Sequence, residues 1–129
     1  MVPGWRDVLV IALGAAAGAN ARYWLSNWFV VRFGPAFPWG TLFINVSGGL
    51  VIGLVLTVLG QRLVADPTYR LLLVTGFLGA YTTFSTFTYE TTALIQQGEY
   101  GSAAANVAGS VALGLAATLG GIWLGRLLA

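Results

Sequence analysis

Four long apolar runs, with very little charge in or between them, fix the class of this chain before any motif is read. They fall at about 7–31, 39–59, 70–97 and 102–127. Each is as long as the roughly 20 mostly apolar residues that cross a bilayer as a helix. Charged residues make up 8% of the 129, against about 25% in soluble domains, and the mean hydropathy is +0.82. The connections, around Gly34–Pro38, Ala65–Thr68 and Gly98–Gly101, are too short to hold a soluble domain. The expected fold is therefore an all-α membrane protein, a single four-helix transmembrane domain over residues 1–129. The first run exceeds the 7–15 apolar residues of a signal peptide, so a retained spanning helix is expected there. Four spans put both ends of the chain on one side. That side carries Arg6, Arg62, Arg70 and Arg126, and the other carries Arg32, with Arg22 near the end of its helix on that side. The bias favours termini inside.

The same composition excludes most chemistry. The chain has no His and no Cys, which removes imidazole and thiolate ligands and with them nearly all zinc, haem and disulfide sites. Without those groups no nucleophile–base pair is apparent, and the chain is not expected to be an enzyme. A net charge of +2 with no polybasic run gives no footprint for nucleic acid or an anionic lipid surface.

Burial alone does not drive helices together in lipid, so close backbone approach and interhelical hydrogen bonds must do it. Small residues recur four apart at Gly14/Gly18, Gly49/Gly53, Ser110/Gly114 and Gly121/Gly125. Each pair leaves a groove for another backbone. Four helices this small cannot enclose much of a path by themselves, so a homodimer or larger assembly is expected.

Polar groups at membrane depth are costly and therefore informative. In Tyr81–Thr92, YTTFSTFTYETT, eight of twelve residues carry a hydroxyl or a carboxylate before the tyrosines are counted. On a helix Phe84, Phe87, Thr88 and Thr91 share one face by their spacing, with Ser85 and Thr92 on its flank. Two glycines, Gly76 and Gly79, and the adjacent Thr82 and Thr83 mark a place for the helix to break, freeing carbonyls that suit a small cation such as Na+. Asn45 lies inside the second run and offers an amide. Asn106 and Ser110 lie four apart on the fourth. Hydroxyl and amide donors can replace the hydration shell of an anion, and the edge of a phenylalanine ring carries partial positive charge. The plainer alternative is a packed aromatic pair with hydroxyls bonding their own helix. Arg22 reads either as a snorkelling cation near one end of its span or as an attractive charge at the mouth of an anion path. Glu90 is the one carboxylate that could lie deep; Asp7, Asp66 and Glu99 fall at or near span ends.

GFLGAYTTFSTFTYET, GTLFINVSGG and GAAAGANARY resemble the third-, second- and first-helix motifs of the Fluc (CrcB) fluoride ion channels. The likeness covers almost the whole chain. It implies an antiparallel, dual-topology homodimer in a prokaryotic cell inner membrane, with two fluoride pores, a third helix broken near its middle, and a structural Na+ at the dimer interface. It implies passive efflux of F⁻ from the cytoplasm, which reduces fluoride toxicity. By the same resemblance Phe84 and Phe87 are the pore-lining aromatic pair and Asn45 the pore amide. Thr83, Ser85, Thr88 and Ser110 are candidates for a polar track, and the carbonyls of Gly79 and Thr82 hold the Na+ with those of a second subunit. Arg22 matches the family's first-helix arginine. Ala80 and Ala15 stand where the family often has Gly. The charge bias sits uneasily with dual topology; pairing with a second, oppositely oriented subunit is the alternative. Two further readings are a proton-coupled exporter of cations built on Glu90, and an assembly subunit that transports nothing.

Overall fold

The structure of the chain, a computed structural model, describes residues 2–61 and 66–128. Arg62 and Ala65, used above in the charge bias and in the second connection, lie outside the described residues. The helices are α1 (Trp5–Phe33), α2 (Trp39–Gln61), α3 (residues 67–81), α4 (Phe84–Gln96) and α5 (Tyr100–Leu128). Among the described residues four stretches, Trp5–Phe33, Trp39–Gly60, Pro67–Gln96 and Tyr100–Leu128, are long and apolar enough to cross a membrane. The third span is thus two helices, α3 and α4, meeting at Thr82 and Thr83.

Local chemistry sets these ends. Gly34 (φ 79°) and Gly98 (φ 78°) take the left-handed conformation that stops α1 and starts the turn after α4. Asp66 caps α3, its carboxylate accepting from the Thr68 N–H at 2.9 Å, with Pro67 in the first helical position. The hydrogen bonds from Thr68 hold the Asp66 carboxyl below its usual range. Within α3, Arg70–Leu78 winds as a wide π-helix, a form that collects at functional sites. The sequence pattern predicts a break here and does not predict this winding. Thr82 (φ −80°, ψ 157°) and Thr83 (φ −152°, ψ 123°) are extended, a conformation that suits β-branched residues.

Two pairs of parallel helices form the bundle. α1 packs on α3, where a Cβ at Gly14 would overlap the Leu72 carbonyl oxygen and one at Gly18 the Phe77 carbonyl oxygen. α2 packs on α5 through Gly49 and Gly53, which lie against Thr118, and through Gly121 and Gly125, which lie against Leu50 and Thr57. Three of the four small-residue pairs therefore sit in tight contacts. The fourth differs: a Cβ at Gly114 would meet open space, and the Gly114 carbonyl accepts from Thr118 Oγ1 at 3.0 Å. Gly121→Ala should accordingly destabilise the chain by about 1–3 kcal/mol, the usual cost of overpacking, read as a lower melting temperature in detergent. Gly114→Ala adds a methyl that meets no atom of its own chain, so the fold of the single chain should tolerate it.

The small core where the pairs meet is Ile44, Leu78 and Tyr81, supported by Ala21, Leu25, Ile52 and Phe77. It lies directly beneath the helix break.

Candidate functional site

α2 cradles the break over little more than one turn. The Asn45 side-chain amide acts as a piece of backbone: Nδ2 donates to the Thr83 carbonyl at 2.9 Å, and Oδ1 accepts from the Thr83 N–H at 2.8 Å. Ser47 Oγ donates to the Ile44 carbonyl at 3.1 Å. Its one proton is thereby committed, so the Tyr81 hydroxyl donates to Ser47 Oγ across 2.9 Å. A Cβ at Gly48 would overlap the Thr82 methyl group, so the threonine sits directly on the α2 backbone. Tyr81→Phe removes one part-buried hydrogen bond and should cost about 1 kcal/mol, read as a lower melting temperature.

These contacts redirect the helical hydrogen bonds. In a continuous helix the Thr83 N–H would bond the Gly79 carbonyl, but it goes to Asn45. The Thr86 N–H would bond the Thr82 carbonyl, but it goes to Thr83 Oγ1 at 3.2 Å, the N-cap of α4. Both carbonyls expected at the Na+ site thus lose their helical donor, and Gly79 is exposed on the chain surface. Oxygen-only ligands of this kind fit a hard cation. Among the described residues no cluster of His, Cys, Asp or Glu could hold a metal.

Above the break lies an open cleft of about 320 Å³, lined by Asn45, Thr82, Thr83, Phe84, Phe87, Ser110 and Val111. It brings together six residues singled out from sequence: Asn45, Thr83, Phe84, Phe87 and Ser110 for the pore, and Thr82 for the Na+. The Phe84 and Phe87 rings stand 5.9 Å apart, tilted by 42°, and Phe84 is 77% exposed. Asn45 Nδ2 keeps a second hydrogen beyond the one given to Thr83. Ser85 and Thr88 do not line the cleft. Both are exposed, and the Thr88 hydroxyl donates to the Ser85 carbonyl at 2.9 Å. Thr91 and Thr92 likewise donate to carbonyls of their own helix at 2.8 Å, the plainer alternative for those hydroxyls. Thr83 donates its proton to Thr86 Oγ1 at 3.1 Å.

Two charged residues, Arg22 and Glu90, lie outside the lining of this cleft. α1 runs on to Phe33, so half-buried Arg22 lies about 16 Å from that end and about 5 Å from the helix centre at 1.5 Å per residue. That depth corrects its reading as a residue near the end of the span. It follows Gly18 by one turn on the face that α1 turns to α3, and among the described residues it makes no ion pair. Glu90 is half-buried. Its Oε1 accepts from Thr41 Oγ1 at 3.0 Å, and its Oε2 is buried with no hydrogen-bond partner among the described residues. It faces a separate cavity of about 260 Å³ beneath the connection from α1 to α2. Neither the Thr41–Glu90 contact nor the Tyr81–Ser47 contact carries a local signal in the sequence, because the partners are 49 and 34 residues apart.

Against known proteins, the family model described as "CrcB-like protein, Camphor Resistance (CrcB)" matches residues 9–122. A protein of Chloroflexus aurantiacus named "Fluoride-specific ion channel FluC" is 50% identical over 120 residues, covering 93% of this chain and 95% of that one. A protein of the same name from Solibacter usitatus is 50% identical over 121 residues, covering 94% and 96%. A third, from Koribacter versatilis, is 48% identical over 115 residues, covering 89% and 91%. All three are named as channels and not as enzymes.

Proposed function

The chain belongs to the CrcB-like family, and on that premise we propose that it is a fluoride-selective channel for passive efflux of F⁻, assembled as an antiparallel homodimer with two pores. The four spans and the bacterial relatives support a multi-pass protein of the prokaryotic inner membrane.

The observation that carries this reading is the cleft. A bare halide in a membrane must exchange its water for other partners, held weakly enough for release. The cleft offers an amide hydrogen of Asn45, the Ser110 hydroxyl and two ring edges, with no cation among its lining residues to trap the ion. The ring edges contribute attraction without a full charge. Arg22, which makes no ion pair among the described residues, supplies a positive charge that draws anions toward the break.

The cleft is also incomplete. A volume of about 320 Å³ holds on the order of ten waters at about 30 Å³ each, so one chain alone leaves an ion hydrated. Phe84 stands out from the chain, and the α5 face at Gly109 and Gly114 is open. A second copy docked there supplies the missing wall, and twofold symmetry then gives two clefts. In such a pair the Gly79 and Thr82 carbonyls of each chain hold the structural Na+, which contributes charge and rigidity at the interface. Exchange of Na+ for N-methylglucamine is expected to lower the melting temperature of the dimer, and return of Na+ to restore it.

Efflux from proteoliposomes tests the function. Vesicles loaded with potassium fluoride should empty when valinomycin is added, and vesicles loaded with potassium chloride should not. Retention of fluoride by vesicles that contain folded protein would favour the assembly subunit. Export of an organic cation, abolished by Glu90→Gln, would favour the exporter.

A further inference from the structure

Asn106 is wholly buried between α4 and α5, and the cleft described above does not use it. It stands in a chain of hydrogen bonds that joins two walls of that cleft. Its Nδ2 donates to Thr91 Oγ1 at 2.9 Å. Thr91 Oγ1 donates to the Phe87 carbonyl at 2.8 Å. Ser110 Oγ donates to Asn106 Oδ1 at 3.4 Å.

The direction of every proton in this chain follows from its end. A carbonyl only accepts, so Thr91 gives its single proton to Phe87 and has lone pairs left for its other neighbour. The amide must therefore turn its NH₂ to Thr91 and its oxygen to Ser110. Ser110 must in turn point its proton at Asn106 and its lone pairs into the cleft. That is the wrong way round to receive an anion. The bond that holds the proton is nevertheless long, 3.4 Å against about 2.7–2.8 Å for an ordinary O–H···O bond. A charge-assisted bond to an anion is shorter and stronger than a neutral one, so an arriving halide takes the proton orientation from Asn106.

We propose that Asn106 is a positioning residue for anion passage: it holds the Ser110 hydroxyl proton, loosely and away from the cleft, in an orientation from which an entering fluoride turns it. This rests on reading the cleft as a fluoride passage. Asn106 does not touch the ion. Its oxygen is a weak competitor that keeps Ser110 from making a tighter bond to the carbonyl one turn back, the usual habit of a helical serine. No covalent step or net proton transfer is involved, since the hydroxyl only rotates.

The test is a double-mutant cycle with fluoride efflux as readout. Asn106→Leu, close in size, is expected to slow efflux about tenfold, within the range for coupled neighbours. In the Ser110→Ala background the same change should cost nothing further. Thr91→Val, a smaller perturbation that only lets the amide turn over, should slow efflux less and should also lose its effect in that background. If Asn106→Leu does not fold, the Thr91→Val pair decides. Equal slowing with and without the Ser110 hydroxyl would assign Asn106 a packing role and overturn the proposal. A spectroscopic readout stands beside the kinetics. The ¹⁵N signal of the Asn106 side chain should move on addition of fluoride to wild type and stay fixed in Ser110→Ala; movement in both would also overturn it. Wild-type protein that passes no fluoride would instead refute the channel reading itself.

Discussion

Asn45→Leu is expected to abolish fluoride efflux and to loosen the third span at once. The leucine cannot replace either bond to Thr83, whose N–H and C=O meet the Asn45 amide at 2.8 and 2.9 Å. Each group left unsatisfied costs about 1–3 kcal/mol. Together they put about 2–6 kcal/mol on the native break, enough to depopulate it by roughly 30-fold to 10⁴-fold at about 1.4 kcal/mol per decade. The loss should appear both as a lower melting temperature and as absent efflux. Asn45→Asp separates the two. Its carboxylate still accepts from the Thr83 N–H and so supports the break, but it places negative charge where the ion must pass and offers no proton. It should keep more of the melting temperature than Asn45→Leu and still pass no fluoride.

Phe84→Ile and Phe87→Ile, made singly, should each slow fluoride efflux about tenfold or more without unfolding the protein. Isoleucine keeps an apolar wall and loses the ring edge. An edge contact between aromatic rings is worth about 0.5–1.5 kcal/mol; an anion at a ring edge meets the same partial positive charge, and a contribution at the upper end of that range is about one decade in rate. Phe84 is 77% exposed in the single chain, so its replacement costs the monomer core nothing. Phe87 is half-buried, and a modest fall in melting temperature is expected there alone. Chloride efflux should stay low in both. Unchanged fluoride rates in both variants would remove the rings from the mechanism.

Much of this was legible in the sequence because lipid makes simple demands. Apolar length announces a span, and glycine at a spacing of four announces close approach; Gly14, Gly18, Gly53 and Gly121 each sit against a backbone oxygen. The break could be located because Gly76, Gly79, Thr82 and Thr83 weaken a helix locally. Asn45 could be singled out because an amide at that depth needs a partner, yet nothing local reveals that the partner is the backbone of Thr83, 38 residues away. The hydroxyls were the hardest to read. Ser85 and Thr88 share the composition of the stretch with Thr83, but they stand on exposed positions of α4 while Thr83 precedes it. Thr83 is extended and stands before α4 as its N-cap, a placement that helical spacing counted from 84 onward does not include. The winding of Arg70–Leu78 has no composition signal at all. Arg22 lies three residues past the middle of its span whether that span is bounded at 7–31 or at Trp5–Phe33, so its depth follows from a count along the run.

The central claim is that fluoride gives up water to the Asn45 amide, the Ser110 hydroxyl and the two phenylalanine edges at the break. Dipolar dephasing between bound ¹⁹F⁻ and ¹⁵N-labelled side-chain amides, in protein reconstituted into bilayers, measures this directly. The account predicts that fluoride dephases the Asn45 Nδ2 signal and leaves that of exposed Asn20 unaffected. No dephasing at Asn45, at fluoride concentrations that drive efflux, would contradict it.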